Sequence, residues 1–564
     1  MTAADPAGDA SRAPRRPNIL WISTHDINPH IGAYAGVWPG ADAARTPHLD
    51  RLARGGARYD HAFASAPVCA PSRSAIMTGC FPTAIGTMHM RTKAVPPPEV
   101  TLFSEYFRAA GYYTTNNWFT DFQVQTPPTA FDDCGPTAHW RDRPDPETPF
   151  FAIFHGMATH ESQIYLDDDA FAAATAHVSD EQRHDPEQVA LPPYYPDTAV
   201  FRTAMARYLD LISEMDHWVG TLLAELEEDG LAGETIVVFW SDHGAGMPRA
   251  KRWAHEAGLR EPLIVRWPGV IPGGTERTEL VHLLDLGPTM LTACGLVVPE
   301  HMHGVSFLDS DGGFVEANEY AYGGRDRMDE QEDGARTVRD RRYRYIRNLH
   351  PDRSGMQHAD YADHYPTWRE FRRLRFEEAG EIGQGGRPTL LSPLQRSVIA
   401  STKPADELYD LVEDPHETRN LASDPRFEEV RDRLRAALDA WTERYGDLGL
   451  MPESELLERW RPGGLPQRTA PPSVQEGHGR LVARCETDGA SIGWTTDPPR
   501  APEELAPRTS MERVSGSPER DGRYWHLYSE PVPLGAATIW FRAWRLGFEP
   551  SAEVEQAPVR EPGS

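Results

Sequence analysis

The sequence predicts an α/β layered domain over residues 17 to about 390. Two patterns carry that prediction: short apolar runs that end abruptly in polar residues, and a long stretch of helical periodicity between them. Asn18-Ile-Leu-Trp-Ile-Ser23 is the first such run and leads straight into His25-Asp26. A strand covered on both faces shows no alternation, so a continuous apolar run of this length predicts a buried parallel strand. Pro149-Phe-Phe-Ala-Ile-Phe-His-Gly156 predicts a second strand, with His160 just past its end. Met205, Tyr208, Leu209, Ile212, Val219, Leu222, Leu223 and Leu226 recur at spacings of three and four with Gly230 near the stop, so residues 201–228 predict a helix. Glu234 to Gly244 repeats the strand pattern and ends in Asp242-His243. Ligands collect beyond the carboxyl ends of such strands, which would bring His25, Asp26, Asp242 and His243 to one crevice.

Thr337 to Leu349, with its alternating arginines, and Glu407-Leu-Tyr-Asp-Leu411 predict strands of a smaller antiparallel sheet, covered by a helix around 426–445. The organisation expected is a disordered leader 1–16, the α/β domain 17–390, a C-terminal subdomain 391–460, a Pro- and Gly-rich linker 461–478, a small sandwich-like β region 479–550 and a tail 551–564.

The 564 residues carry 57 Lys plus Arg against 85 Asp plus Glu, a net charge of −28, with 39% hydrophobic residues. That composition predicts a soluble acidic globular protein and argues against nucleic acid as a partner, because such binders present a basic face. No apolar run approaches the roughly 20 residues of a membrane span. Only Lys93, Lys251 and Lys403 are lysines, so each stands out against an arginine background. Cys69, Cys80, Cys134, Cys294 and Cys485 show no paired spacing, and a cytoplasmic location is expected. Arg15-Arg16 is followed by only one strand's length of apolar residues, too short for an export signal.

The most informative segment is Val68-Cys-Ala-Pro-Ser-Arg-Ser-Ala-Ile-Met-Thr-Gly79. With Arg16-Pro-Asn-Ile-Leu20, Thr46-Pro-His-Leu-Asp50, Ser241-Asp-His-Gly244, the Glu261-Pro-Leu-Ile-Val-Arg-Trp-Pro-Gly269 run, Asp414-Pro-His-Glu and Asn420-Leu-Ala422, it resembles the formylglycine-dependent sulfatases from about residue 17 to 460. The resemblance implies an alkaline-phosphatase-like fold, with a central mixed sheet flanked by helices, and hydrolysis of a sulfate ester or sulfamate. It also implies that Cys69 is oxidised to formylglycine by a formylglycine-generating enzyme. The aldehyde hydrate then offers one hydroxyl to attack sulfur and a second whose deprotonation expels sulfate. Arg73 would hold that hydrate.

Attack on an anionic sulfuryl group needs neutralising charge, which a divalent cation supplies. The family places two aspartates after the first strand and an Asp-Asn or Asp-His pair after the later one. Here His25-Asp26 and Asp242-His243 stand in those places, with residue 69 as a further ligand. Calcium is the family's expected ion, while imidazole among the ligands would suit manganese, zinc or iron. Lys251 matches the family's sulfate-binding lysine, with His255 in the segment that follows, and His160 matches the histidine that protonates the leaving group. Phe119 stands where the family has a second lysine and Asp121 where it has a histidine, so Asp121 is expected to take the base role. His89, Arg91 and Lys93 follow the nucleophile motif and are expected to read the substrate beyond its sulfate. Arg325 and Arg327 are further candidates for the pocket rim, though a structural ion-pair role is the expectation for both.

The function expected is a sulfatase acting on a sulfated small molecule or saccharide, with a context closest to heparan N-sulfatase-like members. The alternatives are a phosphonate monoester or phosphodiester hydrolase of the same superfamily, and a catalytically inactive sulfoglycan-binding protein. The tryptophans Trp494, Trp525, Trp540 and Trp544 in the last region suit either a sandwich core or sugar stacking. Oligomeric state is not legible.

Overall fold

The computed structural model describes residues 16–316, 318–383, 387, 389–500, 509, 513, 515–518 and 521–558. The first fifteen residues of the expected leader lie outside that set, as do the last six of the tail. Eight strands build the central sheet: β1 (Asn18–Thr24), β2 (Ala57–Phe63), β3 (Tyr113–Asn117), β4 (Asp133–Cys134), β5 (Phe150–Gly156), β6 (Thr235–Ser241), β7 (Arg260–Arg266) and β8 (Thr275–His282). Their order is β4-β3-β5-β1-β6-β7-β2-β8, parallel from β4 to β6, with β7 antiparallel to both its neighbours.

Successive side chains of a strand leave opposite faces, and both faces here are apolar. Leu20, Ile22, Phe154 and Phe239 pack on one side with Tyr208, Ile212 and Met215 of the Ala199–Glu228 helix. Ile19, Trp21, Ile153 and Trp240 pack on the other with Phe103, Phe107, Leu286 and Met290. This double coverage is why the strands read as unbroken apolar runs.

A second sheet of four antiparallel strands follows, β9 (Ala321–Arg325), β10 (Ala335–Arg339), β11 (Tyr343–Asn348) and β12 (Asp406–Asp410), in the order β12-β11-β10-β9. Three of its strands precede residue 390 and one follows it, so the domain boundary expected there cuts through this sheet. The Glu428–Tyr445 helix covers it through Leu434, Leu438 and Trp441 against Val338, Tyr345 and Leu408. Arg339 and Arg344 cross to the first domain, where both donate to Glu256 Oε1 at 2.8 and 2.5 Å.

The C-terminal region holds two small sheets. One is β13 (Ser473–Gly477), β14 (Arg480–Arg484) and β17 (Val532–Pro533); the other is β15 (Ser491–Thr495), β16 (His526–Leu527), β18 (Ile539–Trp544) and β19 (Val554–Gln556). Leu481, Ile492, Val532 and Phe541 form their common core. The expected linker and tail are therefore corrected at two points: 473–477 and 554–556 are strands, because each completes a ladder whose edge would otherwise expose unpaired backbone groups. Among the described residues no helix is long and apolar enough to cross a membrane.

Candidate active site

β1, β5 and β6 run in register, Thr24 level with both Gly156 and Ser241, so the residues that follow them emerge side by side. His25 and Asp26 leave β1, and Asp242 and His243 leave β6, all with no exposed surface. Cys69 opens the Cys69–Thr78 helix, every residue of which is buried. No side chain caps that helix at Val68, and a free helix N-terminus favours negative charge at residue 69.

The side chains interlock closely. Cys69 Sγ lies 3.1 Å from His243 Nε2, and the same nitrogen lies 3.2 Å from Asp26 Oδ1. His25 Nδ1 is 3.1 Å and Arg73 Nη1 3.7 Å from Asp242 Oδ2. Arg73 is pinned from behind: its Nε donates to the Thr120 carbonyl at 2.8 Å and its Nη2 to the Phe119 carbonyl at 3.0 Å. Lys251 Nζ stands 2.8 Å from Asp26 Oδ2 and 2.8 Å from Glu161 Oε1. Arg252 closes a fork on Glu161, two contacts of 2.9 Å.

Burial works against charge here, and neighbouring charges outweigh it. Burial alone would push the Cys69 thiol up; Lys251, His243 and His160 instead pull it well below its ordinary 9.0. Asp242 overcomes burial to lift His25 to about 8 and, helped by Cys69 and Asp26, His243 to about 9. Arg252 and Lys251 hold the buried Glu161 carboxyl at about 2.

One ligand atom each from His25, Asp26, Cys69 and Asp242 lie within 4.8 Å of one another. Asp26 Oδ1, Asp242 Oδ2 and both ring nitrogens of His25 are buried and make no well-aligned hydrogen bond. Two desolvated carboxylates whose free oxygens face imidazole nitrogens, Asp26 Oδ1 at 3.2 Å from His243 and Asp242 Oδ2 at 3.1 Å from His25, form a donor set that fits a divalent ion. His243 stands outside the group of four and borders it through Nε2, its Nδ1 donating to the Gly244 carbonyl at 3.0 Å.

A cavity of about 230 Å3 opens over Cys69, with Arg91, Phe119, His160, Glu161, Lys251 and Arg252 in its wall and Tyr361 at its rim. His160 Nδ1 is engaged by the Ser162 hydroxyl at 2.9 Å. Four expected residues lie elsewhere. Asp121 is buried behind the wall, its Oδ2 3.3 Å from Arg91 Nη2, where burial raises its carboxyl above the ordinary value against the pull of Arg91. His89 is buried with its Nδ1 accepting the Arg327 N–H at 3.3 Å, so it braces that loop and does not face substrate. Lys93 is exposed away from the cavity, and its carbonyl takes Arg461. His255 Nε2 sits 3.3 Å from Glu407 Oε2 and borders a different cavity of about 890 Å3, shared with Arg325. Arg327 is tied to Glu453. The 86–93 loop turns back on itself, which is why only Arg91 of its three candidates reaches the pocket.

Sequence reasoning missed Glu161, Arg252 and Tyr361. The signal available for Glu161 was its place directly after His160, and for Arg252 its place directly after Lys251.

Residues 17–145 and 137–296 match the family model described as Sulfatase, and residues 248–353 the model described as N-sulphoglucosamine sulphohydrolase, C-terminal. An ulvan-active sulfatase of Formosa agariphila is 34% identical over 584 aligned positions, covering 96% of this chain and 92% of that protein. The chain belongs to the sulfatase family. As a sulfatase it is a sulfuric ester hydrolase, and the family implies a divalent metal and a formylglycine. The sulfatase is also similar to a solved structure holding its substrate D-glucosamine-2-N,6-O-disulfate, at 17% identity and a TM-score of 0.54, over 76% of this chain and 98% of that one. The phosphonate monoester hydrolase of Agrobacterium radiobacter matches at 16% identity and a TM-score of 0.55, over 83% of this sulfatase and all of that chain, 100%. At such identities these structures establish the alkaline-phosphatase-like fold and leave the substrate open.

Proposed function

We propose that the protein removes sulfate from a saccharide, as an ester or a sulfamate, at residue 69. The observation that carries this reading is the Lys251 ammonium held between Asp26 and Glu161, lining with Cys69 one cavity of about 230 Å3. The relative named for activity on ulvan and the fold neighbour that holds a glucosamine disulfate support the substrate class.

Cys69 Sγ stands where a formylglycine hydrate would present its oxygen, and that hydrate would supply the nucleophile and the group that expels sulfate. A divalent cation held by His25, Asp26, Asp242 and residue 69 would supply positive charge for the sulfate oxygens, and calcium is the ion we assign. Arg73, locked by two backbone carbonyls, orients residue 69 and holds its negative charge. Lys251, in the wall of the same cavity, would neutralise the sulfate. His160, with Nδ1 engaged by Ser162, presents its other ring nitrogen as the acid for the leaving oxygen or nitrogen. Asp121 serves by holding Arg91, not as a base.

A peptide mass spectrum across residue 69 in protein from its native source, with metal analysis of the same sample, tests the chemistry. Loss of hydrogen sulfide and gain of oxygen, with one divalent ion per chain, is the expected result. An unmodified thiol in active protein would overturn it. Turnover of nitrophenyl sulfate should exceed that of a phosphonate monoester, and a decisive phosphonate preference would sink the assignment.

A further inference from the structure

The loop after β3 backs the pocket and is itself held in an unfavourable shape. Phe119 and Thr120 give their carbonyls to Arg73, Asp121 pairs with Arg91, and the Gln123 side-chain oxygen accepts the Arg91 N–H at 2.7 Å. Asp121 (φ 51°) and Gln123 (φ 64°) both lie in the left-handed region, which a residue with a side chain occupies at a cost and only when its surroundings impose it.

Gln123 is held by the Thr87 and His89 carbonyls, whereas at Asp121 the imposition comes from a segment 395 residues beyond Thr120. The Ser515 carbonyl accepts the Asp121 N–H at 2.7 Å and the Thr120 hydroxyl at 2.7 Å. The Gly516 carbonyl accepts the Thr126 N–H at 2.8 Å, and the Gln125 amide reaches the carbonyls of Gly516 and Ser517. Ser515 and Ser517 are buried. Gly516 has φ 72°, and a Cβ there would stand 2.6 Å from the Val124 carbonyl oxygen, so the two segments meet as closely as glycine permits.

We propose that residues 515–517 of the C-terminal β region are positioning residues of the catalytic site: they clamp the 119–126 loop and, through Thr120, fix Arg73. The relay is two hydrogen bonds long, Thr120 hydroxyl to Ser515 carbonyl and Arg73 Nε to Thr120 carbonyl. The last region of the chain thereby braces the pocket wall from behind. Its aromatic residues fit this role, since Trp525 and Trp544 pack on each other at 5.0 Å in its interior. The activity arm of the inference rests on the sulfatase reading; the clamp itself does not.

The test uses full-length Thr120→Val, Thr120→Ser and Gly516→Val, with residue 69 modification and Tm checked for each. Amide exchange across 119–126 should quicken about tenfold or more in Thr120→Val and Gly516→Val, while Thr120→Ser, which keeps the hydroxyl, stays near wild type. Both disruptive variants should lose about 10- to 100-fold in kcat, with the smaller change in KM. Their combination should cost no more than the worse single change, since both break one contact. Unchanged exchange and unchanged kcat in both variants would overturn the proposal. So would Thr120→Ser failing as badly as Thr120→Val, or a loss of activity that only follows the folded fraction. If no sulfate ester is turned over by wild type, the sulfatase reading fails while the exchange measurement still decides the clamp.

Discussion

Lys251 is buried between two carboxylates that would otherwise face each other across the pocket wall, and it engages both at 2.8 Å. Replacing it with Met leaves Asp26 and Glu161 desolvated and removes the ammonium proposed to meet sulfate. Lys251→Met is therefore expected to lower kcat/KM about 10²- to 10³-fold, with a lower Tm in the same preparation. Lys251→Arg should not restore activity, because a planar guanidinium does not fit a position shaped for a compact ammonium. Farther from the chemistry, burial opposes charge on Glu407, yet its bonds to His255, Tyr409 and Asn348 hold its carboxyl at about 2 against an ordinary 4.5. A depressed carboxylate contributes stability above its unfolded value and loses it as pH falls. The urea midpoint should thus drop between pH 4.5 and about 2, and Glu407→Gln should show a shallower drop over that window.

At the scale of elements, the segment after β6 turns back beneath its own strand to deliver Lys251, and its glycines make the turn possible. A Cβ at Gly246 would stand 2.2 Å from the Glu161 Cβ and 2.7 Å from its Cα, and one at Gly244 would strike the Ala257 carbonyl oxygen at 1.9 Å. Gly246→Ala must push the Glu161–Ile164 helix outward and loosen the carboxylate that grips Lys251 and Arg252. We expect a loss of about 1–3 kcal/mol in urea denaturation and about tenfold or more in kcat/KM. The Cys69–Thr78 helix shows a different dependence on context. Its ten residues are all buried, so it has no polar face and no periodic signature, and in the sequence it is visible only as a motif.

Over the whole molecule, the proposed cation site joins the ends of two central strands, so its occupancy should bear on global stability. Chelation is expected to lower Tm in calorimetry, with recovery on adding back a divalent ion; at a free ion concentration of 100 Kd the effect is about 3 kcal/mol. Asp242→Asn should abolish the chelator dependence. The layered fold, the strands β1, β5 and β6 and the crevice at their ends were legible in the sequence because local apolar runs and helical spacing encode them directly. The convergence of the Cys69 motif with the His25-Asp26 and Asp242-His243 pairs was legible because the pairs' place at strand ends is a property of the chain itself. The sequence did not reveal that Glu161 grips Lys251, that His89, Lys93 and His255 face away from Cys69, or that β13 and β19 extend the last region beyond its expected limits. Those facts depend on which segments meet in space, as when Ser515 reaches Thr120 across 395 residues. Sequence proximity predicts direction along a strand or helix, but only the packed tertiary structure settles which side of a loop faces the pocket and what satisfies a buried charge.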